Sequence, residues 1–249
     1  MNTWYVMQKE IREGIVTPKG FIWYILASVI LSVLSYLFLT NSELSLLDQG
    51  EMVYMLMNLV TALGMLAGMV SGADSIAGEM ERSTLETLLL SPAGKTEIAT
   101  GKLGAALANW VIILAISIPY LIVVGRGGHN LPAGIAYLTV LGTMLTAIFS
   151  SFSMGISART KSVKNSVVIS FLILLLAGSP IFLSSALRET WFGVVFDFIN
   201  PFACAINTFD SVVVDGQGFS YQVGRIAVVC AYGFLSLWFL RRSMSKLEG

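Results

Sequence analysis

Long apolar runs separated by single charges or short polar stretches constrain the fold of this chain most strongly. A helix needs about 20 apolar residues to cross the hydrocarbon core of a bilayer, where each backbone polar group must be bonded within its own segment. Five runs of this length lie at 20–42, 52–73, 103–125, 127–158 and 165–187. A sixth, at 226–240, reaches spanning length if it extends back to Gln222, which puts Arg225 near one membrane interface.

The composition supports a membrane protein. Of the 249 residues, 55% are hydrophobic and 12% are charged, about half the charge of a typical soluble domain. The net charge of zero provides no basic field for binding nucleic acid. We therefore expect an all-α, polytopic membrane protein with a single transmembrane domain over residues 1–249. Its six transmembrane helices are placed at 21–40, 53–74, 102–124, 133–157, 165–186 and 222–240.

Basic residues are distributed unequally between the two sides of the predicted bundle. With six spans both termini share a side, and 12 of the 15 lysines and arginines fall there. Arg126, Arg188 and Arg225 fall on the opposite side. Because basic residues in short loops stay in the cytoplasm, both termini are predicted to be cytoplasmic.

Two segments outside the spans are predicted to form short helices at the membrane surface. Four apolar residues near the N-terminus share one helical face: Trp4, Met7, Ile11 and Ile15. This pattern is typical of an N-terminal interfacial helix, with a frayed cytoplasmic tail as the alternative. Residues 188–221 contain an apolar stretch that Asp197 and Asn200-Pro201 interrupt. We expect one or two short external helices there, before span six.

The cytoplasmic segment between spans two and three carries the most specific pattern. Ser83 or Thr84 can cap a helix, with Glu86 placed for a capping box, and Pro92 ends the element. Three leucines form its apolar stripe: Leu85, Leu88 and Leu89. Charged residues surround it: Glu79, Glu81, Arg82 and Glu86. Such a helix either binds a groove in a partner or lies in the membrane interface, and the pattern alone leaves both interpretations open.

The same segment resembles the signature loop of the type-2 family of ATP-binding-cassette permeases. That loop reads roughly Glu-x-Glu-x-Gly-Thr-Leu-Glu-x-Leu-Leu-x-x-Pro, then a polar or basic pair, then Gly-Lys-Leu. The matching positions are Glu79, Glu81, Thr84, Leu85, Glu86, Leu88, Leu89, Pro92, Gly101, Lys102 and Leu103. The chain departs from the pattern at Ser83, where the family commonly has glycine, and at Gly94-Lys95, where Ser-Arg is common.

The resemblance implies a function. Members of the family pair with a second permease chain, as homodimers or paralogous heterodimers, and two soluble ATPase subunits dock on the cytoplasmic face. The short helix would then be the coupling helix, and the residues assigned to ATPase docking are Glu79, Glu81, Arg82, Thr84, Leu85, Glu86, Leu88, Leu89 and Pro92. ATP and Mg would bind the partner, since this chain lacks the Gly-x-x-x-x-Gly-Lys-Ser/Thr pattern.

We therefore expect a multi-pass permease of the plasma membrane that exports a substrate, is not an enzyme by itself and binds no metal. An external accessory protein that binds residues 188–221 would fit the same layout.

Polar residues in and beside the spans carry further hypotheses. Hydroxyls occupy one face of span four, at Thr139, Thr143, Thr146, Ser150, Ser153 and Ser157. They could line a polar pathway, or bond to carbonyls of the preceding turn and pack tightly. On the external side stand Asp197, Asp210, Asp215 and Arg225. They could form a charge cluster that gates or recognises cargo, or Arg225 could simply extend to the interface.

Two features of span two also predict contacts. Gly64, Gly68 and Gly72 are spaced for close helix packing, either within one subunit or at a dimer seam. Asp74 lies near the cytoplasmic surface, and we expect it to pair with a basic residue of the loops.

Other classes of membrane protein are the alternatives. A secondary transporter or channel would place ionisable groups near the bilayer midplane, and the centres of these spans contain none. A structural assembly protein would not need the segment from Glu79 to Pro92. An intramembrane enzyme is disfavoured because the single histidine, His129, falls in an external turn.

Overall fold

The computed structural model describes residues 2–15, 18–40, 48–90, 93–126, 128, 130–179 and 190–248. Within these ranges the chain is all-helical and forms no strand. The helices are α1 (Asn2–Ile15), α2 (Pro18–Thr40), α3 (Gln49–Glu81), α4 (Leu85–Leu89), α5 (Lys95–Val124), α6 (Leu131–Thr160), α7 (Val163–Gly178), α8 (Trp191–Ile199), α9 (Pro201–Val213) and α10 (Phe219–Ser245), followed by a 3₁₀ turn at Lys246–Glu248. His129 lies outside the described residues.

The described helices include five that are long and apolar enough to cross a membrane. They are Gly20–Thr40 within α2, then α3, α5, α6 and α10. A further crossing is available if α8 and α9, which meet at 94°, are one broken span. The chain is therefore a multi-pass membrane protein. Five of the six predicted spans fall within these helices, whereas the span predicted at 165–186 coincides with α7 only as far as Gly178, and its last residues lie outside the described ranges.

The short helices that the sequence predicts are also present. α1 forms at the N-terminus, and α8 and α9 precede the last long helix. Asn200 separates α8 from α9, and its side-chain oxygen accepts the backbone N–H groups of Phe202 and Ala203 at 2.9 and 3.2 Å. With Pro201 at the first helical position, this cap starts a new helix in a new direction. An interfacial position for these helices stays a prediction.

The centre of the bundle is the interface between α3 and α6, the two most buried of the long helices. A Cβ atom built on Gly72 would lie 2.6 Å from the backbone oxygen of Ser150 on α6, so only glycine allows these two backbones to approach so closely. One on Gly64 would lie 2.2 Å from the ring of Trp110, a side chain of α5. The glycine stripe therefore packs within this chain, as the first of the two hypotheses predicted.

One end of the bundle, named here the α4 end, collects the end of α3, the start of α5 and the ends of α6 and α10. Their buried side chains form one apolar cluster of Ile76, Ala99, Met154, Ala158, Leu240 and Met244. Leu85 of α4 packs against this cluster, partly buried. The packing holds α4 against the end of the bundle through its first residue.

Candidate functional site

α3 ends in a tight turn that leads into α4. Ser83 adopts the left-handed conformation, with φ of +57°. Its N–H bonds to the oxygen of Met80 at 3.0 Å, and the N–H of Thr84 bonds to the oxygen of Glu79 at 2.9 Å. These two bonds are the Schellman pattern, which usually has glycine at the left-handed position. The turn gives a physical reason for the glycine that related permeases carry where this chain has Ser83.

Thr84 is tied to the end of α3. Its hydroxyl donates to the carboxylate of Glu79 and lies 3.2 Å from the backbone oxygen of the same residue. The sequence predicted that Ser83 or Thr84 would cap the short helix together with Glu86. That stays a prediction, because a hydroxyl that donates to Glu79 can still accept an N–H of α4.

A buried cluster of charges stands behind this turn. The ammonium of Lys102, on α5, lies 2.5 Å from Oε1 of Glu10 and 3.2 Å from Oε1 of Glu79. The side chain of Lys102 is 2% exposed and that of Glu79 is 10% exposed. Lys9 approaches the same Glu79 oxygen at 3.9 Å. A buried ammonium is stable only when it is paired and hydrogen-bonded, and two carboxylates meet that need here.

The cluster joins three helices, because Glu10 belongs to α1, Glu79 to α3 and Lys102 to α5. Glycines on α5 let α1 approach closely. A Cβ atom on Gly101 would lie 2.8 Å from Val6, and one on Gly104 would lie 2.6 Å from the sulfur of Met7. We name Glu10, Glu79 and Lys102 the buried charge cluster, and the exposed Thr84 is bonded to it through Glu79. The cluster connects the first residue before α4 to the framework of the bundle.

Outside this cluster lies an exposed face, named here the α4 surface, made of Arg82, Glu86, Thr87 and Leu90. Leu90 is 87% exposed, the highest value among the large apolar side chains described. Arg82 forms a salt bridge with Asp74 at 3.2 Å, which confirms the pairing predicted for that aspartate. The α4 surface thus combines charges of both signs with a projecting leucine, a composition that suits contact with another protein.

The residues predicted to dock a partner fall into four groups. Glu79 and Thr84 form bonds within the chain, and Leu85 packs inward. Glu81 is exposed, and its Oε1 accepts the N–H of Val163 at 2.8 Å, which caps α7. Arg82 and Glu86 lie on the α4 surface. The side chains of Leu88 and Leu89, together with Pro92, lie outside what the structure describes.

Part of the predicted hydroxyl face of α6 lies within the α3–α6 interface. Thr146 and Ser150 are fully buried. A Cβ atom on Gly68 would lie 2.5 Å from the Ser150 hydroxyl oxygen. Ser153 donates to the oxygen of Met69 at 2.7 Å. Here the small polar side chains allow close packing between helices.

Ser157 continues this row toward the α4 end. Its hydroxyl donates to the oxygen of Ala73 at 2.7 Å and accepts the N–H of Ala77 at 2.8 Å. Those two backbone groups would bond to each other in a regular helix, so the hydroxyl stands within the hydrogen-bond ladder of α3.

The outer part of the hydroxyl face is arranged differently. Thr139 is exposed and bonds to the oxygen of Ile135 at 2.8 Å. Thr143 bonds to the oxygen of Thr139 at 2.5 Å and accepts the indole N–H of Trp110 at 2.9 Å. The row therefore passes from an exposed end into a packed interface. A pathway along it stays a prediction.

The predicted external charges do not form ion pairs with one another within the described ranges. Nη1 of Arg225 donates to the backbone oxygen of Asn207 at 2.8 Å, to the hydroxyl of Ser211 at 2.8 Å and to Oε1 of Gln222 at 3.2 Å. Asp215 is exposed, and Asp197 lines a cavity that Arg225 also lines. The cluster is therefore a set of separate carboxylates around an arginine that is bonded to neutral groups.

Sequence reasoning missed four residues of the site. Glu10 and Lys9 belong to the N-terminal helix, for which the sequence predicts a role of the apolar face only. Lys102 matches the family pattern, but the pattern gives it no role. One signal could have found it, because a lysine at the edge of an apolar run needs a partner if its helix is packed on all sides. Leu90 could not be found, since its exposure depends on where α4 ends.

Comparison with known protein families identifies the family of the chain. The family model described as ABC-2 family transporter protein matches residues 4–244, which is nearly the whole chain. A search of curated proteins finds no match. The chain therefore belongs to the ABC-2 transporter family, as a membrane permease component of an ATP-binding-cassette transporter.

Proposed function

We propose that this permease exports a substrate across the plasma membrane by using ATP hydrolysed on a separate subunit that docks on the α4 surface. The observation that carries the proposal is the pairing of an exposed, charged and leucine-tipped face with a buried anchor directly behind it. Arg82, Glu86 and Leu90 face outward, while Glu79 and Thr84, within a few residues of them, are bonded to the interior.

The anchor has a mechanical consequence. A force applied to α4 passes through Thr84 and Glu79 to Lys102 and Glu10, and so reaches α3, α5 and α1 together. Charge-assisted bonds in a buried site resist such a displacement more than exposed ion pairs do. Movement of an ATPase subunit would therefore shift three helices together. In this proposal Glu79 positions the coupling helix α4 and does not touch the partner.

The remaining parts of the assembly follow from the family. Two copies of the permease, or this chain and a paralogue, would pair in the membrane and bind two ATPase subunits, which hold ATP and Mg. The α4 end and both termini would face the cytoplasm, with α1 in the membrane interface, and residues 1–249 would form one transmembrane domain. The exposed end of the hydroxyl face, at Thr139 and Thr143, would line the substrate path between the two permeases. An accessory protein would bind outside, at 188–221.

Affinity purification from native membranes tests the docking surface. The tagged wild-type chain should retain an ATPase subunit, identified by its phosphate-binding motif, whereas Leu90→Asp combined with Glu86→Arg should lose it. Both positions are exposed, so the fold should be unaffected. Arg126→Glu is the matched control, because Arg126 is exposed at the other end of α5, about 45 Å away along a 30-residue helix. Retention of the ATPase by the double variant would refute docking at α4.

A further inference from the structure

A cavity of about 510 Å³ lies beside α8, α9 and α10. It is lined by Val194, Val195, Asp197, Phe198, Ile199, Asn207 and Arg225. Arg225 precedes Met244, in the cluster at the α4 end, by 19 residues of the same helix, or about 28 Å. The cavity therefore lies far from the α4 surface. The cavity is open to the surface and is not enclosed.

The arginine in this cavity is held in place with part of its guanidinium unused. Nη1 donates to Asn207, Ser211 and Gln222, and the guanidinium carbon lies 5.4 Å from the centre of the Tyr221 ring. Within the described residues, neither Nη2 nor Nε has a hydrogen-bond partner. A guanidinium fixed in this way can present its remaining N–H groups to two oxygens of a phosphate.

A carboxylate in the same cavity has the opposite requirement. Oδ1 of Asp197 is buried and, in the part of the chain that the structure describes, has no hydrogen-bond partner. A buried carboxylate oxygen without a donor is costly, and a cation held in the adjoining cavity would lower that cost by electrostatic attraction to the carboxylate, without bonding to Oδ1 itself. Because Asp197 and Arg225 line one cavity without forming an ion pair with each other, each remains available to a ligand.

The cavity walls indicate the kind of molecule that carries these charges. Val194 and Phe198 are 57% and 55% exposed on a helix of a multi-pass membrane protein, so lipid chains can cover them. Trp191, at the start of α8, is 78% exposed, and tryptophan is typical of the membrane interface. A cavity that holds two charged side chains and lies beside an exposed apolar helix face fits a phospholipid better than a soluble ion.

We propose that this cavity binds a phospholipid whose headgroup ends in a primary ammonium, such as phosphatidylethanolamine. The phosphate would contact Arg225, the ammonium would contact Asp197, and the acyl chains would lie along α8. This inference does not depend on the ATPase, on the direction of transport or on the identity of the transported substrate.

Native mass spectrometry of the purified full-length chain tests the proposal. Phosphatidylethanolamine, phosphatidylcholine and phosphatidylglycerol with identical acyl chains would be titrated separately. We expect tightest binding of phosphatidylethanolamine, since the quaternary amine of phosphatidylcholine has no N–H and phosphatidylglycerol has no cation. Arg225→Gln should weaken binding of phosphatidylethanolamine about tenfold, the effect of losing one charge-assisted hydrogen-bonded contact. Asp197→Asn should remove most of the preference among the three lipids.

Arg126→Gln is the control, because Arg126 is exposed and does not line the cavity. Unchanged lipid preference in Asp197→Asn would overturn the proposal, and so would displacement of the lipid by millimolar inorganic phosphate, which would mark a site for a soluble anion. If Arg225→Gln fails to fold, Asp197→Asn decides alone, since it replaces a side chain of the same size whose Oδ1 has no partner in the described structure.

Discussion

Lys102 shows at the scale of one residue how this permease can connect its surface to its interior. Its ammonium is almost completely buried and bonds to carboxylates from two other helices, Glu10 and Glu79. Burial of charged groups contributes little to stability even when they are paired. The pairing does fix the relative positions of the helices that carry these charges, because a buried charge that loses its partner is costly. This property suits a site that has to hold α4 in one place.

Replacement of Lys102 by methionine should therefore destabilise the protein strongly. The change leaves the buried Glu79 and the partly buried Glu10 without the Lys102 ammonium, although Lys9 stays 3.9 Å from Glu79, and breaking a buried pair in this way costs about 3–5 kcal/mol. Thermal unfolding of the purified chain in detergent measures the effect. Lys164→Met, at an exposed lysine, should unfold near the wild-type midpoint. Equal midpoints for the two variants would show that the buried charge cluster is absent in solution.

Ser83 gives a prediction of the opposite sign. Its φ of +57° is unfavourable for a residue with a Cβ atom and is free of that penalty for glycine. Ser83→Gly should raise the free energy of unfolding by about 0.5–1 kcal/mol, as followed by the same thermal measurement. Ser245→Gly, at an exposed residue of the last turn of α10, should lower it instead. A loss of stability in Ser83→Gly would contradict the left-handed turn.

The sequence could predict the composition of the site but not the position of its side chains. The pattern from Glu79 to Pro92 identified a short helix and its charges. It could not tell that Glu79 faces inward, because that depends on Lys102, which lies 23 residues further along the chain. Likewise, Thr84 has the chemistry of a helix cap, and only the left-handed Ser83 directs its hydroxyl back to α3.

At the scale of helices, the packing of α3 against α6 depends on how closely their two backbones approach each other. A Cβ atom at Gly72 would lie 2.6 Å from the backbone oxygen of Ser150, a group that cannot rotate away. Gly72→Ala should therefore destabilise the bundle by about 1–3 kcal/mol. A Cβ atom at Gly233 on α10 would meet nothing within 4 Å, so Gly233→Ala should be neutral or slightly stabilising. Unfolding midpoints of both variants in detergent provide the test.

If Gly72→Ala and Gly233→Ala behaved alike, the close approach of α3 and α6 would be wrong. The glycine spacing predicted such an approach from sequence, but it could not identify the partner helix. Other elements were less predictable. Apolar length located the first four spans and the last, whereas the bend of 94° between α8 and α9 depends on the cap that Asn200 supplies before Pro201.

At the scale of the whole molecule, the two ends of the bundle have different features. The α4 end presents an exposed face in front of a buried charge cluster, which suits the transmission of force from a soluble partner. The end near Arg225 presents a cavity with apolar walls and two separate charges, which suits a ligand from the membrane. Long helices join the two, so a displacement at α4 can reach the far end through α3 and α5.

In the proposed transporter the α4 surface receives the movement of an ATPase subunit. The most direct test is the rate of ATP hydrolysis by the partner ATPase in proteoliposomes that contain the wild-type permease, the Glu86→Arg and Leu90→Asp double variant, or Arg126→Glu. We expect the wild-type and Arg126→Glu chains to change the rate equally, and the double variant, although folded, to leave the ATPase at its rate without permease. A wild-type rate with the double variant would show that the ATPase does not act through the α4 surface.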